Sequence, residues 1–175
     1  MIQLSSFMWL LAMFCAFIGF LRGWQREVVV TAGVLVVLFA LLQFDPYLRG
    51  LLLFTLPRDQ VFLIQAALFI AATLFLYQAR NLGRERARDD VEGGLLGALV
   101  GFINGYLIGG TLWYFMDINE YPLPQLIVAP ALNSPSAQSI SIMPLVLLGG
   151  GTSGTGDFLA IITLGVFLFV IIRTQ

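Results

Sequence analysis

Between residues 93 and 110 the chain reads GGLLGALVGFINGYLIGG, and Gly93, Gly97, Gly101, Gly105 and Gly109 recur at every fourth position of an otherwise apolar run. In water such a helix would be poor, because each interior glycine costs about 1 kcal/mol relative to alanine. In lipid, helices attract one another largely through close van der Waals approach, and bare backbone permits that approach. Four residues turn an α-helix by about 400°, so successive glycines advance by about 40° and trace an inclined stripe. The stripe is a shallow groove that accepts the small-residue ridge of a second helix. Ala12, Ala16, Gly19 and Gly23 supply one candidate ridge, and Ala67 and Ala71 another. The same groove would also admit something flat and apolar, such as a lipid tail or an isoprenoid or carotenoid chain.

The composition around this segment is that of a membrane protein. Hydrophobic residues make up 59% and charged residues 11% of the 175, and mean hydropathy is +0.92, against roughly 45–50% and about 25% in soluble domains. Charges fall in short clusters between long uncharged runs, as expected of loops joining segments that cross a hydrocarbon layer about 30 Å thick. Five runs fit helical spans of a single bundle, near residues 4–21, 28–44, 61–77, 94–116 and 158–172. Helices are the physical choice, since backbone in lipid must satisfy its own hydrogen bonds. The fifth run is shorter than the usual 17–25 or so residues, which leaves an interfacial helix open there. The first run has no positive charge ahead of it and reads as a retained span, not a cleaved signal peptide.

Arginine placement orients the bundle. Arg22 and Arg26 follow the first run, Arg49 and Arg58 the second, Arg80, Arg84, Arg86 and Arg88 the third, and Arg173 the fifth. With five spans and the amino terminus outside, most arginines lie on the cytoplasmic side, as the positive-inside rule requires. The expectation is therefore an all-α polytopic protein, N-out and C-in, with residues 117–156 as an outer-side connection. That connection holds five of the seven prolines and no arginine, and its apolar pieces PQLIVAPAL and IMPLVLLGGG predict a segment laid on the membrane or on a partner protein. The stretch Pro46–Pro57 predicts an amphipathic turn at the outer interface.

Few polar side chains interrupt the runs. Asn104 sits near the middle of the glycine row and Gln65 inside the third run. Such amides bridge two helices or mark a pathway. In LRGWQRE, Arg22, Arg26 and Glu27 read as a cytoplasmic anchor beside Trp24, with charges reaching the headgroups. The sharper alternative is an ion pair of Arg22 or Arg26 with Glu85, Asp89, Asp90 or Glu92 of the other cytoplasmic loop. No ionisable residue falls well inside the five runs as bounded here.

A faint echo links AFIGFLRG, Ala16–Gly23, with ALVGFING, Ala98–Gly105; glycine-rich apolar segments resemble one another by composition. Taken together, GFLRGWQRE and GLLGALVGFINGYLI resemble the colicin V production protein (CvpA-like) family of bacterial inner-membrane proteins. Arg22, Gly23, Arg26 and Glu27 match the family's Arg-Gly-x-x-Arg-Glu element, and Gly97, Gly101 and Gly105 match its later glycines. Gly93 and Gly94 stand in place of its Asp-Arg, and Asn104 in place of its intramembrane arginine. The resemblance covers about residues 4–117, and a fifth span is not a usual family feature. It implies a small protein of the bacterial cytoplasmic membrane linked to colicin export and envelope processes, without established catalytic residues.

An enzyme is not expected. The chain has no histidine, so His-based acid/base pairs and zinc sites are excluded. Asp117, Glu120 and Asp157 lack an evident partner base, and GGGTSGTG lacks the lysine of a phosphate loop. Cys15 has no second cysteine to pair with, and its apolar run argues against thiol chemistry. No dense basic stretch points to nucleic acid. Neither a metal nor a cofactor is implied, beyond the lipid, isoprenoid or carotenoid tail that the groove would admit. Two classes remain: a non-catalytic accessory or scaffold subunit packing against other integral membrane proteins in a larger complex, and a small channel, transporter or export factor.

Overall fold

The computed structural model describes residues 4–52, 54–78, 91–123, 127–151 and 155–174, and every regular element among them is helical. Four helices are long and apolar enough to cross a membrane: α1 (Leu4–Arg22), α2 (Trp24–Tyr47), α3 (Arg58–Gln78) and α4 (Val91–Ile118). The connection after α4 contains two short helices, α5 (Pro135–Gln138) and α6 (Pro144–Gly149), with a single 3-10 turn, Ile140–Ile142, between them. The last helix, α7 (Asp157–Thr174), has 18 residues, and its apolar part falls short of the other four.

A single residue, Gly23, separates α1 from α2. Its backbone has φ 82° and ψ 153°, a combination that a side chain makes costly. The Gly23 N–H still donates to the Gly19 carbonyl at 2.9 Å, so the chain reverses without releasing the end of α1. Gly23→Ala is expected to destabilise the protein by about 1–3 kcal/mol, to be read from unfolding in detergent micelles.

The second helix runs past its expected ends. It starts at Trp24 and continues through Pro46 into a π-helical turn, Leu48–Leu52, where an interfacial turn from Pro46 was expected. Pro46 lacks the N–H that would donate to the carbonyl four residues earlier, and the helix nevertheless continues past it into the wider π-helical turn. The extension corrects a second expectation, because Glu27 and Asp45 now belong to α2 and Arg49 to its π-helical turn. Ionisable groups therefore do lie inside the helical bundle.

The principal helix pairing is α1 against α4, antiparallel. Around it, Met8, Val34, Leu38, Phe69, Trp113 and Leu159 form an apolar core closed to solvent. The Phe69 and Phe115 rings meet edge-on at 5.9 Å. α7 attaches to α2, with Leu159 and Thr163 buried and Ile162 and Val166 against the core. The connection folds back onto the bundle: Ser136 meets Ser5 at the start of α1, and Pro144 lies against Gly110 of α4.

Candidate functional site

Along α4 the glycine row meets the backbone of α1. A Cβ built on Gly97 would lie 2.9 Å from the Gly23 carbonyl carbon and closer still to the Gly19 oxygen. On Gly101 it would lie 3.0 Å from Gly19 Cα and closer to the Cys15 oxygen, and on Gly105 2.6 Å from Ala12 Cα. At Gly109 the gap opens, with Leu11 Cδ2 at 3.3 Å, and Gly93 is buried one turn before Gly97. The groove over Gly97–Gly105 is thus filled by α1 of the same chain. Of the two candidate ridges it is the α1 one that fits; Ala67 and Ala71 on α3 are exposed. The echo between residues 16–23 and 98–105 falls on segments that meet in this contact.

Beside that contact the sequence left no sign of how its polar residues assemble. Glu27 is 0% exposed, yet it links all four long helices. Its carboxylate accepts from Arg22 of α1 at 2.6 Å, from the Asn104 amide of α4 at 2.9 Å and from the Tyr77 hydroxyl of α3 at 3.3 Å. Arg22, 22% exposed, also donates to the Tyr77 carbonyl at 3.3 Å and lies 4.7 Å from the Tyr77 ring centre. Thr31 donates to the Asn104 amide oxygen at 2.7 Å, and Asn104 donates to the Glu27 carbonyl at 3.1 Å. A carboxylate with this many partners offsets the desolvation that burial imposes.

Of the alternative ion pairs between Arg22 or Arg26 and the other loop, the one with Glu92 is not formed among the described residues. Arg22 reaches along its own hairpin to Glu27, and Arg26 pairs with no acidic residue among those described. Of the proposed loop partners, Glu85, Asp89 and Asp90 lie outside the described residues, as do Arg80, Arg84, Arg86 and Arg88.

A second cluster closes the other end. Arg49 holds Asp45 through its Nε at 2.8 and 3.0 Å, and the Gln65 amide donates to Asp45 at 2.6 Å. Asn119, one residue beyond α4, donates to Gln65 at 3.0 Å and to the Phe115 carbonyl at 2.7 Å. Gln65 is thus the bridge from α3 to α2 and α4. Gln65→Leu is expected to cost about 1–3 kcal/mol, the desolvation penalty of the groups left unpaired, as a lowered midpoint of unfolding in detergent. A cavity of about 330 Å³ adjoins Asp45, walled by Leu42, Tyr114, Phe115 and Leu145.

Along α2, Glu27 and Asp45 are 18 residues, about 27 Å, apart. Val30, Val34, Leu35, Leu38, Phe69 and Leu107 fill the interval. Among the described residues two hydroxyls, Thr73 and Thr163, are buried with no hydrogen-bond partner. Among the described residues no group of His, Cys, Asp or Glu could hold a metal ion.

No protein-family model matches the chain, and neither does any curated protein or solved structure. In the structure the motif residues form one neighbourhood: Arg22 and Glu27 pair across the Gly23 reversal, Gly97, Gly101 and Gly105 seat α1, and Asn104 meets Glu27.

Proposed function

We propose that this chain is a non-catalytic integral membrane protein of the bacterial cytoplasmic membrane, acting as an accessory or scaffold subunit for other membrane proteins. Its five helices cross the bilayer N-out and C-in, α7 included. One observation carries this reading: the embedded charges are engaged in clamping helices together at the two ends of the bundle, with closely packed apolar side chains between. Such charges serve rigidity. Because α1 fills the glycine groove, partners would meet the outward faces of α1, α3 and α7, where Phe14, Phe17, Leu68, Phe75, Leu164 and Phe167 are exposed.

The test is photo-crosslinking in living cells from Phe14, Leu68 and Leu164. Adducts with another integral membrane protein are expected from at least one face; adducts with lipid alone from all three would contradict the proposal. A second reading, a small transporter or export factor of the colicin V production type, is favoured by Glu27 alone, since an ionisable residue inside a membrane marks a pathway by default. Solute or proton flux in liposomes, abolished by Glu27→Gln in a variant that stays folded, would establish it in place of the scaffold role.

A further inference from the structure

The connection between α4 and α7 enters the bundle more deeply than a surface loop would. One face of the bilayer is marked by the Gly23 reversal, which carries Arg22, Trp24 and Arg26 and packs at Gly97. A hydrocarbon layer of about 30 Å at 1.5 Å per residue leads from Gly97 to about Asp117, the first charge that α4 meets after Glu92. The same length of α2 leads from Trp24 to the neighbourhood of Asp45. The two helices agree on where the second face lies.

Against that frame the chain descends and returns. Ser136 sits at the start of α1, its hydroxyl accepting the Ser5 N–H at 3.3 Å. The Ile142 carbonyl then accepts the Tyr106 hydroxyl, and Pro144 packs on Gly110 and beside Met8. Gly110 and Tyr106 precede Asp117 by seven and eleven residues, about 10 and 16 Å along the axis. α6 leads back, and a Cβ built on Gly149 would lie 3.7 Å from Leu42 Cδ2, one turn before Asp45.

We propose that Ser136–Gly149 is a re-entrant element that enters the bilayer from the side on which α1 begins, leaves on the same side, and lies against lipid acyl chains. Irregular backbone survives at that depth only if its polar groups are satisfied and protein covers one side. Protein covers one side, and several of the backbone groups are paired within the segment itself. The N–H groups of Ile142, Met143 and Leu147 donate to Ser139, Ile140 and Met143 carbonyls, and Pro144 has none to satisfy. Met143, Pro144 and Leu145 are buried toward the bundle.

The other side is apolar and open. Ile142 is 39% and Leu147 54% exposed, and they adjoin the exposed apolar surface of α1 through Trp9, which stacks on Tyr106 at 5.7 Å. Between the two limbs lies a cleft of about 560 Å³, lined by Ala137, Ile140, Val146 and Leu147 together with Gln138 and Ser141. Acyl chains are the occupant that suits it, since Tyr106 and Gly110, which the segment packs on, lie well within the roughly 30 Å of hydrocarbon that α4 spans between Gly97 and Asp117.

The test places a nitroxide label at Ile142→Cys and Leu147→Cys, in the full chain with Cys15→Ala, reconstituted in phosphatidylcholine/phosphatidylglycerol vesicles. Ile103→Cys, exposed on α4, is the acyl reference and Glu120→Cys the aqueous one. At both positions collision with oxygen is expected to exceed collision with a water-soluble nickel chelate, giving a depth parameter of the same sign as that of Ile103 and opposite in sign to that of Glu120. A nickel-dominated signal would overturn the inference by placing the segment in water. Low collision with both reagents would also overturn it, by showing that protein covers the face.

Discussion

Arg22→Ala is expected to destabilise the bundle by about 3–5 kcal/mol, the cost of leaving a buried charge without its partner. Glu27 has no access to solvent, so it cannot exchange the guanidinium for water, and Asn104 and Tyr77 supply only neutral donors. Folded proteins have about 5–15 kcal/mol in all, so the loss should appear as poor recovery of monodisperse protein and a lowered midpoint in reversible unfolding. Combining Arg22→Ala with Glu27→Gln removes the stranded charge while keeping the amide geometry, and is expected to recover most of the loss. If the single substitution cost less than about 1 kcal/mol, the range of an exposed pair, the cluster would be an ordinary surface contact.

The glycine row yields the second large effect, and its size varies along the row. Gly101→Leu must push its side chain into the Cys15 and Gly19 backbone. Backbone cannot step aside as a side chain can, so the cost should exceed the usual 1–3 kcal/mol or so of an overpacked core. Gly109→Ala meets only the end of Leu11 at 3.3 Å and the Met8 backbone beyond it, and a small effect is expected. A Cβ added at Gly165 of α7 would meet no other part of the fold within 4 Å, so Gly165→Ala should stabilise by about 0.4–1 kcal/mol through the unfolded chain. Thermal unfolding of the three variants in one detergent checks the ranking. Equal effects at Gly101 and Gly165 would mean that α1 is not seated where the structure has it.

Much of the frame was legible in the chain itself. The four long apolar runs became helices because lipid leaves the backbone few other choices, and periodic glycine marked the helix that another approaches. What stayed hidden follows from treating charge as a sign of loop. Glu27 and Asp45 bounded α2 in the sequence because a lone carboxylate is costly in lipid, but each is offset by partners drawn from other helices. Arg22 and Glu27 are five residues apart across a reversal, a spacing that shows no pairing until Gly23 turns the chain. The Asp45–Arg49 spacing of four did carry a helical signal, obscured by Pro46 between them. Gln65 and Asn119 are 54 residues apart in sequence, and no local pattern links them. Either α1 or α3 had small residues enough to fill the glycine groove, and only the three-dimensional register chose between them.

The groove of α4 is occupied by α1 of the same chain. Gly105→Cys tests it against the native Cys15. A Cβ at position 105 would lie 2.7 Å from that of Cys15, so the helices need part by only about 1 Å to reach disulfide geometry. After mild oxidation in native membranes, the account expects an intrachain disulfide in the monomer, joining Cys15 to the thiol introduced at position 105 and identified by mass spectrometry of the linked peptides. A disulfide formed only between chains, or a monodisperse protein in which both thiols stay free, would contradict it.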